Sequence, residues 1–233
     1  MDWDLKELKE SVLRLHGKSA HSKLSPCLSS IAERQDFARY HYHEAKDLLD
    51  SYMGESYPEI DLFRLAFSGD GPDNEQLEDN KFRARAHIVG CVQSIHSVSD
   101  ILGHAVYYSL NLSEAKQDRD ISLSKVRKWV GANGQYHAIK NGIDELISHQ
   151  DYEYLSALAN HSKHRSIVSL NFNFNLRQTD AGMKELVFPS FRYGQTCYRA
   201  TPAYPFLESE FNRQSRLVVE VGNKINRLLS NQC

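Results

Sequence analysis

Cysteine is sparse and scattered: Cys27, Cys91, Cys197 and Cys233 make no CxxC pair, and Cys91 sits inside an apolar helical run. That pattern argues against a disulfide framework and against a zinc knuckle, and it fits a reducing compartment. Nowhere do eighteen apolar residues run together, and the opening MDWDLKELKE is acidic with no apolar h-region. Neither a membrane span nor a secretion signal is expected, which leaves the cytoplasm as the expected location. There is no GxGxxG, no Walker loop and no GxSxG. Dinucleotide binding, P-loop hydrolysis and α/β-hydrolase chemistry therefore find no support, and no cofactor is expected.

What is present suffices for a folded core. The 233 residues are 41% hydrophobic and 25% charged, ordinary for a globular chain. The charge is unevenly placed: residues 1–160 carry 18 basic and 25 acidic side chains, residues 161–233 carry 10 and 5. A basic final third suits either a polyanion-binding face or attraction between two parts of one protein.

Hydrophobic periodicity predicts an α+β chain that is predominantly α, a single domain over 1–233. A helical bundle is expected over 1–164, a small antiparallel meander of two or three strands over 165–202, and a long C-terminal helix over 205–231. Leu5, Leu8, Val12, Leu13 and Leu15 make a short helix ending near Gly17, followed by a Ser-rich connector holding Pro26 and a long helix from Ser29 or Ser30 to Met53. A shorter helix is expected from Pro58 to Phe67, and a loop from Ser68 to Asn80. The strongest helical signal spans Phe82–Leu112. Gly90 and Gly103 each weaken it by about 1 kcal/mol relative to Ala, which is tolerable where a neighbour packs closely. Three short helices follow, at Val126–Val130, Ile139–Ile147 and Tyr152–His164. From Val168 to Arg177 apolar and polar residues alternate strictly, the period of a half-buried strand. A turn around Asp180–Gly182 leads to a second strand near Leu186–Phe191, where Pro189 suggests an edge, and Thr196–Ala200 offers a third. Leu207, Phe211, Gln214, Val218, Val221, Ile225 and Leu228 form a heptad-like seam, suited to packing within the chain or to a homodimer.

The sharpest local feature is the end of the helix through Tyr152–His164. Asn160 and His164 are four apart, as are His161 and Arg165, so two polar pairs project from adjacent faces of the last turn. Histidine moves protons near neutral pH, Lys163 and Arg165 can hold a phosphate, and Asn160 can orient a ring nitrogen or a ribose hydroxyl. Together they suit RNA cleavage by the ribose 2′-hydroxyl. The structural alternative is that Lys163, His164 and Arg165 complement the helix dipole, with His164 bonding a free carbonyl.

The segment Ala159-Asn160-His161-Ser162-Lys163-His164 resembles the motif of HEPN-family proteins, small helical bundles that include metal-independent ribonucleases of toxin and phage-defence systems. That motif is an arginine, a polar residue that is often asparagine, three residues, then histidine. Here Ala159 stands where the family has its arginine. The resemblance implies RNA processing or RNA binding, with His164 as acid or base, Asn160 orienting, Arg165 as a compensating cation, His161 and Lys163 holding substrate, and a site shared across a dimer interface.

Two further constellations stand beside it. Gln93, His96, Asp100 and His104 share one helix face, a spacing that can hold zinc in a metal-dependent hydrolase, with His41, His43, Glu44 and Asp47 as a partner set, or can simply form a hydrogen-bond network or a solvated face. Phe188, Phe191, Tyr193, Tyr198, Tyr204 and Phe206, interleaved with Arg192 and Arg199, can stack bases or fill the space between sheet and helices. Outside catalysis, the chain reads as a protein-interaction module using its heptad seam or sheet edge.

Overall fold

The computed structural model describes residues 2–53, 72–174 and 184–232. Helix α1 covers Leu5–Met53, α2 Pro72–Ser109, α3 Leu123–Gly131, α4 His137–Ile147, α5 Gln150–His164 and α6 Ala203–Ser230. Five short strands lie between α5 and α6: β1 (Asn171–Phe174), β2 (Lys184–Phe188), β3 (Phe191–Tyr193), β4 (Thr196–Tyr198) and β5 (Thr201–Pro202). The chain is thus α+β and predominantly α, with its strands antiparallel and placed before a long C-terminal helix. Among the described residues no helix is long and apolar enough to cross a membrane.

The first helix does not stop where its serines and proline suggest. At Gly17, where the short first helix was expected to end, the backbone turns to φ +78°, ψ −177°, a conformation L side chains rarely adopt, and the helix kinks. It then resumes at once, and the expected connector is helical through Pro26. The reason is burial. Ala20, Leu24, Leu28 and Ile31 follow steps of four, four and three and are all buried, which outweighs the hydrogen bond that proline removes. The Ser25 and Ser29 hydroxyls donate back to the His21 and Ser25 carbonyls, so the serines join the helix instead of ending it.

Two other expectations need correction. Residues 72–80 belong to α2, not to a loop; their charges pair at helical spacing, Lys81 with Glu78 at 2.7 Å and Arg83 with Asp79 at 3.8 Å. The proposed helix Pro58–Phe67, the start of that loop at Ser68–Gly71, the strand residues 175–177 and the turn at Asp180–Gly182 lie outside the described residues. Among the described residues the antiparallel strands fall into two small sheets, β1-β2-β5 and β3-β4. Pro189 follows the end of β2, which is the central strand, and the missing N–H separates β2 from β3 instead of marking an edge.

The chain divides into two compact units whose limits fall inside α1, α2, α5 and α6. The first comprises Met1–Asp36, Ser94–Leu158 and Glu208–Cys233. Its core joins Leu8, Leu24, Leu28, Leu102, Ile139, Ile143, Leu146, Val218, Val221 and Ile225. Val218, Val221 and Ile225 of the heptad seam are therefore buried inside this unit. The buried stripe of α6 runs through Glu210, Gln214, Leu217, Val221, Ile225 and Leu229, while Phe211 and Leu228 are only half-buried, because a straight helix drifts from a seven-residue repeat. Helix α2 ends in a Schellman motif, with Asn111 at φ +48° and the N–H groups of Asn111 and Leu112 returning to the carbonyls of Tyr108 and Tyr107.

The N-terminus is strapped to α6 within the same unit. Trp3 lies against Gly222, where a Cβ would sit 2.2 Å from its ring, and its Nε1–H donates to Asn226 Oδ1 at 3.3 Å. Asn226 in turn donates to the Asp4 carbonyl at 2.8 Å. Gly222→Ala is expected to expel the ring and cost about 1–2 kcal/mol, from one hydrogen bond and half-buried indole packing. Urea denaturation would give the loss. A red-shifted tryptophan emission absent from a Trp3→Phe control would assign it to Trp3 and not to Trp129.

The second unit comprises Phe37–Gln93 and Ala159–Leu207. Ala38, Ala45, Leu49, Ala84, Ile88, Cys91 and Val92 are among its buried helical residues, and Val168, Leu170, Leu186, Val187 and Phe188 among those buried in and around the strands. Phe188 meets Phe206 edge to face, Tyr42 meets Tyr204 likewise, and Gln93 Nε2 donates to the Ala159 carbonyl at 3.0 Å.

Candidate nucleic-acid interface

The last turn of α5 lies in the second unit together with the β3–β4 hairpin. The helix ends by folding back around His161: its carbonyl accepts the N–H groups of Arg165 (2.9 Å) and Ser166 (3.1 Å), and its Nδ1 lies 2.6 Å from the Ser166 carbonyl. A carbonyl only accepts, so Nδ1 carries the hydrogen and Nε2 is the nitrogen left to take a proton. It is therefore His161, and not His164, that bonds a carbonyl after the helix end. His164 is exposed, as are Lys163 and Arg165.

The hairpin supplies the aromatic half. Gly194, at φ +62°, opens a two-residue turn whose first position favours glycine, and this sets Tyr193 opposite Thr196 and Phe191 opposite Tyr198. The alternation of a strand then puts Phe191 and Tyr193 on one face and Arg192 on the other. Phe191 and Tyr198 stack with centroids 5.0 Å apart and planes 15° apart. The His161 ring stands edge-on to Phe191 at 5.9 Å and tilted against Tyr193 at 6.2 Å. The Arg165 guanidinium sits 5.1 Å over the centre of the Tyr193 ring.

Of the residues singled out from sequence, His161 and Arg165 thus converge on one aromatic face. Lys163 and His164 stay in solvent on the same turn, and half-buried Asn160 lies a turn before His164. Ala159 is fully buried, so the position where the family motif has arginine points into the interior and offers no room for one.

The metal-type stripe on α2 is divided. Gln93 bonds Ala159 in the second unit. In the first, His96 is 5% exposed, bonds the Ser156 hydroxyl at 3.3 Å, stacks on Tyr152 and lies 3.7 Å from Asp100. Tyr152 shares a hydrogen bond with Ser99 at 3.0 Å, and His104 packs beside Tyr108. Of the partner set, His41 meets His87 instead, with their Nδ1 atoms 3.0 Å apart. Burial, and after it the neighbouring His87, hold the His41 imidazole below its ordinary value.

Sequence reasoning missed a polar cluster in the first unit. Glu210 is 0% exposed, takes Arg213 Nε on one oxygen at 2.7 Å and Nη2 on the other at 2.8 Å, and accepts Gln214 Nε2 at 2.7 Å. Arg213 also donates to the Glu145 and Leu146 carbonyls at the end of α4. Glu210 sits one step from Phe211 in an otherwise apolar series, and the only signal was the i, i+3 and i, i+4 spacing to Arg213 and Gln214. No protein-family model, curated protein or solved structure matches this chain.

Proposed function

We propose that the last turn of α5 and the β3–β4 hairpin bind single-stranded RNA, in a protein that acts in the cytoplasm. The observation that carries the reading is the Arg165 guanidinium lying over the Tyr193 ring while its own side chain stays exposed. One face of the guanidinium is held by the tyrosine, and the other is free to stack on a base or to meet a phosphate. Lys163 and His164 stand on the same turn. Across residues 159–202 the sequence has six basic and two acidic side chains, the sign a polyanion requires. The likeness of Asn160 to His164 to the HEPN motif favours RNA over DNA. Binding is favoured over cleavage because fully buried Ala159 leaves His164 without the arginine that completes that family's catalytic pair.

Fluorescence anisotropy with a labelled single-stranded RNA tests this. The full chain should bind with an affinity that falls steeply with salt, and Arg165→Ala and Tyr193→Ala should each weaken it by about tenfold, the size of one stacking contact. Absence of binding, or variants that bind like the wild type, would sink the reading. A gel run in EDTA beside His164→Ala separates the two activities. Intact RNA is the expected result, whereas cleavage that disappears in the variant would replace binding with metal-independent hydrolysis.

A further inference from the structure

Within the second unit, α1 and α2 meet through two half-buried imidazoles. His41 of α1 and His87 of α2 present the same kind of atom to each other, Nδ1 to Nδ1 at 3.0 Å. A hydrogen bond between two such nitrogens needs one hydrogen between them, and has room for no more. We propose that this pair is a proton-controlled latch between α1 and α2, closed while one proton lies between the two Nδ1 atoms and opened by acid when each ring carries its own.

The stoichiometry follows from the tautomers. In the neutral pair one ring donates through Nδ1–H, and the other accepts at Nδ1 while holding its own hydrogen on Nε2. A first added proton fills the remaining Nε2 and leaves the bond intact. A second has only the accepting Nδ1 to go to. It sets two N–H groups, and two positive charges, head to head across 3.0 Å. The pair therefore resists its second proton, as coupled sites do.

Packing keeps His41 in place. A Cβ on Gly90 would stand 2.8 Å from His41 Nε2, 2.9 Å from Cδ2 and 3.0 Å from Cε1, so the ring fills the space a side chain at position 90 would take. The Tyr40 ring lies beside both imidazoles, 5.4 Å from His41 and 5.9 Å from His87. Glu44, one turn along α1, favours a charged His41, but burial and His87 oppose it and hold the imidazole below its ordinary value of 6.5. On α2, Arg83 lies a turn before His87 and is paired with Asp79. Cys91, a turn after, is buried and its thiol is pushed up to about 12, which keeps it uncharged.

The unfolded chain takes both protons near the ordinary histidine value, whereas the closed pair refuses one. The closed state thus binds fewer protons in acid, and its stability falls as the pH falls. The latch is fully present above pH 6.5 and is lost as the pH drops through the depressed folded value of His41. One excluded proton raises the opening equilibrium by at most about tenfold per pH unit.

Hydrogen exchange of the full chain, read by mass spectrometry at about pH 7.5 and about pH 5, tests the latch on the wild type beside His41→Gln/His87→Gln. Protection factors, which remove the pH dependence of the intrinsic rate, should fall at least about fivefold over residues 37–50 and 81–93 of the wild type, and less than about twofold in the double variant. No fall in the wild type, or an equal fall in both proteins, would overturn the proposal. Ring ¹⁵N spectra of the wild type need no variant and decide the matter should the double variant fail to fold. His41 should stay neutral at a pH where solvent-exposed histidines are already charged, and titration of both rings together with those histidines would equally overturn the latch. None of these measurements involves RNA.

Discussion

Replacing Arg213 with alanine is expected to destabilise the protein by about 3–5 kcal/mol, the cost of stranding one partner of a buried ion pair. Glu210 has no exposure to water, and the Arg213 side chain is only 14% exposed. Both carboxylate oxygens are bonded by the one guanidinium, which also reaches the last carbonyls of α4. Without it, Glu210 would keep only Gln214, and the Glu145 and Leu146 carbonyls would lose a donor. Urea unfolding gives the loss directly. An apolar double variant, Glu210→Leu with Arg213→Leu, should recover much of it, because replacing both members removes the stranded charge. Recovery should be incomplete, since no leucine can donate to the α4 carbonyls. A single-variant loss under about 1 kcal/mol is the range of an exposed pair and would contradict the burial.

That pair also marks where the sequence stops being readable. A glutamate next to a phenylalanine in an apolar series reads as solvent-facing, because charge is ordinarily excluded from cores. Only the surrounding geometry reveals that Arg213 and Gln214 satisfy it. The helices themselves were legible from their 3.6-residue pattern, and α3, α4 and α5 lie within three residues of their expected limits. Pro26 and the charged start of α2 were misread for opposite reasons. Burial of Leu24 and Leu28 overrode a local breaker in one, and side-chain ion pairs sustained a helix with little apolar face in the other. Strict alternation in residues 168–177 tells which side chains share a face, but it carries no information on partners, so the division into two sheets could not be read from it.

The α5 turn was legible as a polar cluster, yet the roles within it were not. His161 and His164 look equivalent in sequence. What separates them is a chain reversal that brings the Ser166 carbonyl to His161, together with Phe191 and Tyr193 some thirty residues onward. Arg165 acquires its aromatic support from the same hairpin. Local spacing names the residues that can act. Long-range packing decides which of them are oriented.

Gly103→Ala is the second large loss expected, about 2–3 kcal/mol in the range of overpacking. Helix propensity alone predicts the opposite sign, a gain of about 1 kcal/mol for alanine in a helix interior. Sterics reverse it. A Cβ at position 103 would stand 2.8 Å from the Leu123 nitrogen, 3.0 Å from its Cα and 3.2 Å from the Ser122 carbonyl carbon. These are backbone atoms at the start of α3, where the Ser122 side chain caps the helix by accepting from Lys125 N–H, so α3 would have to move as a body. Its buried residues Leu123, Val126 and Val130 would move with it. Gly131, at the other end of α3, provides the contrast. A Cβ there meets only the flexible Lys140 chain at 3.4 Å, and Gly131→Ala should change stability by less than about 1 kcal/mol, without loss. Parallel urea curves of the two variants measure both effects. A Gly103→Ala protein as stable as the wild type would mean that α2 and the start of α3 do not approach so closely.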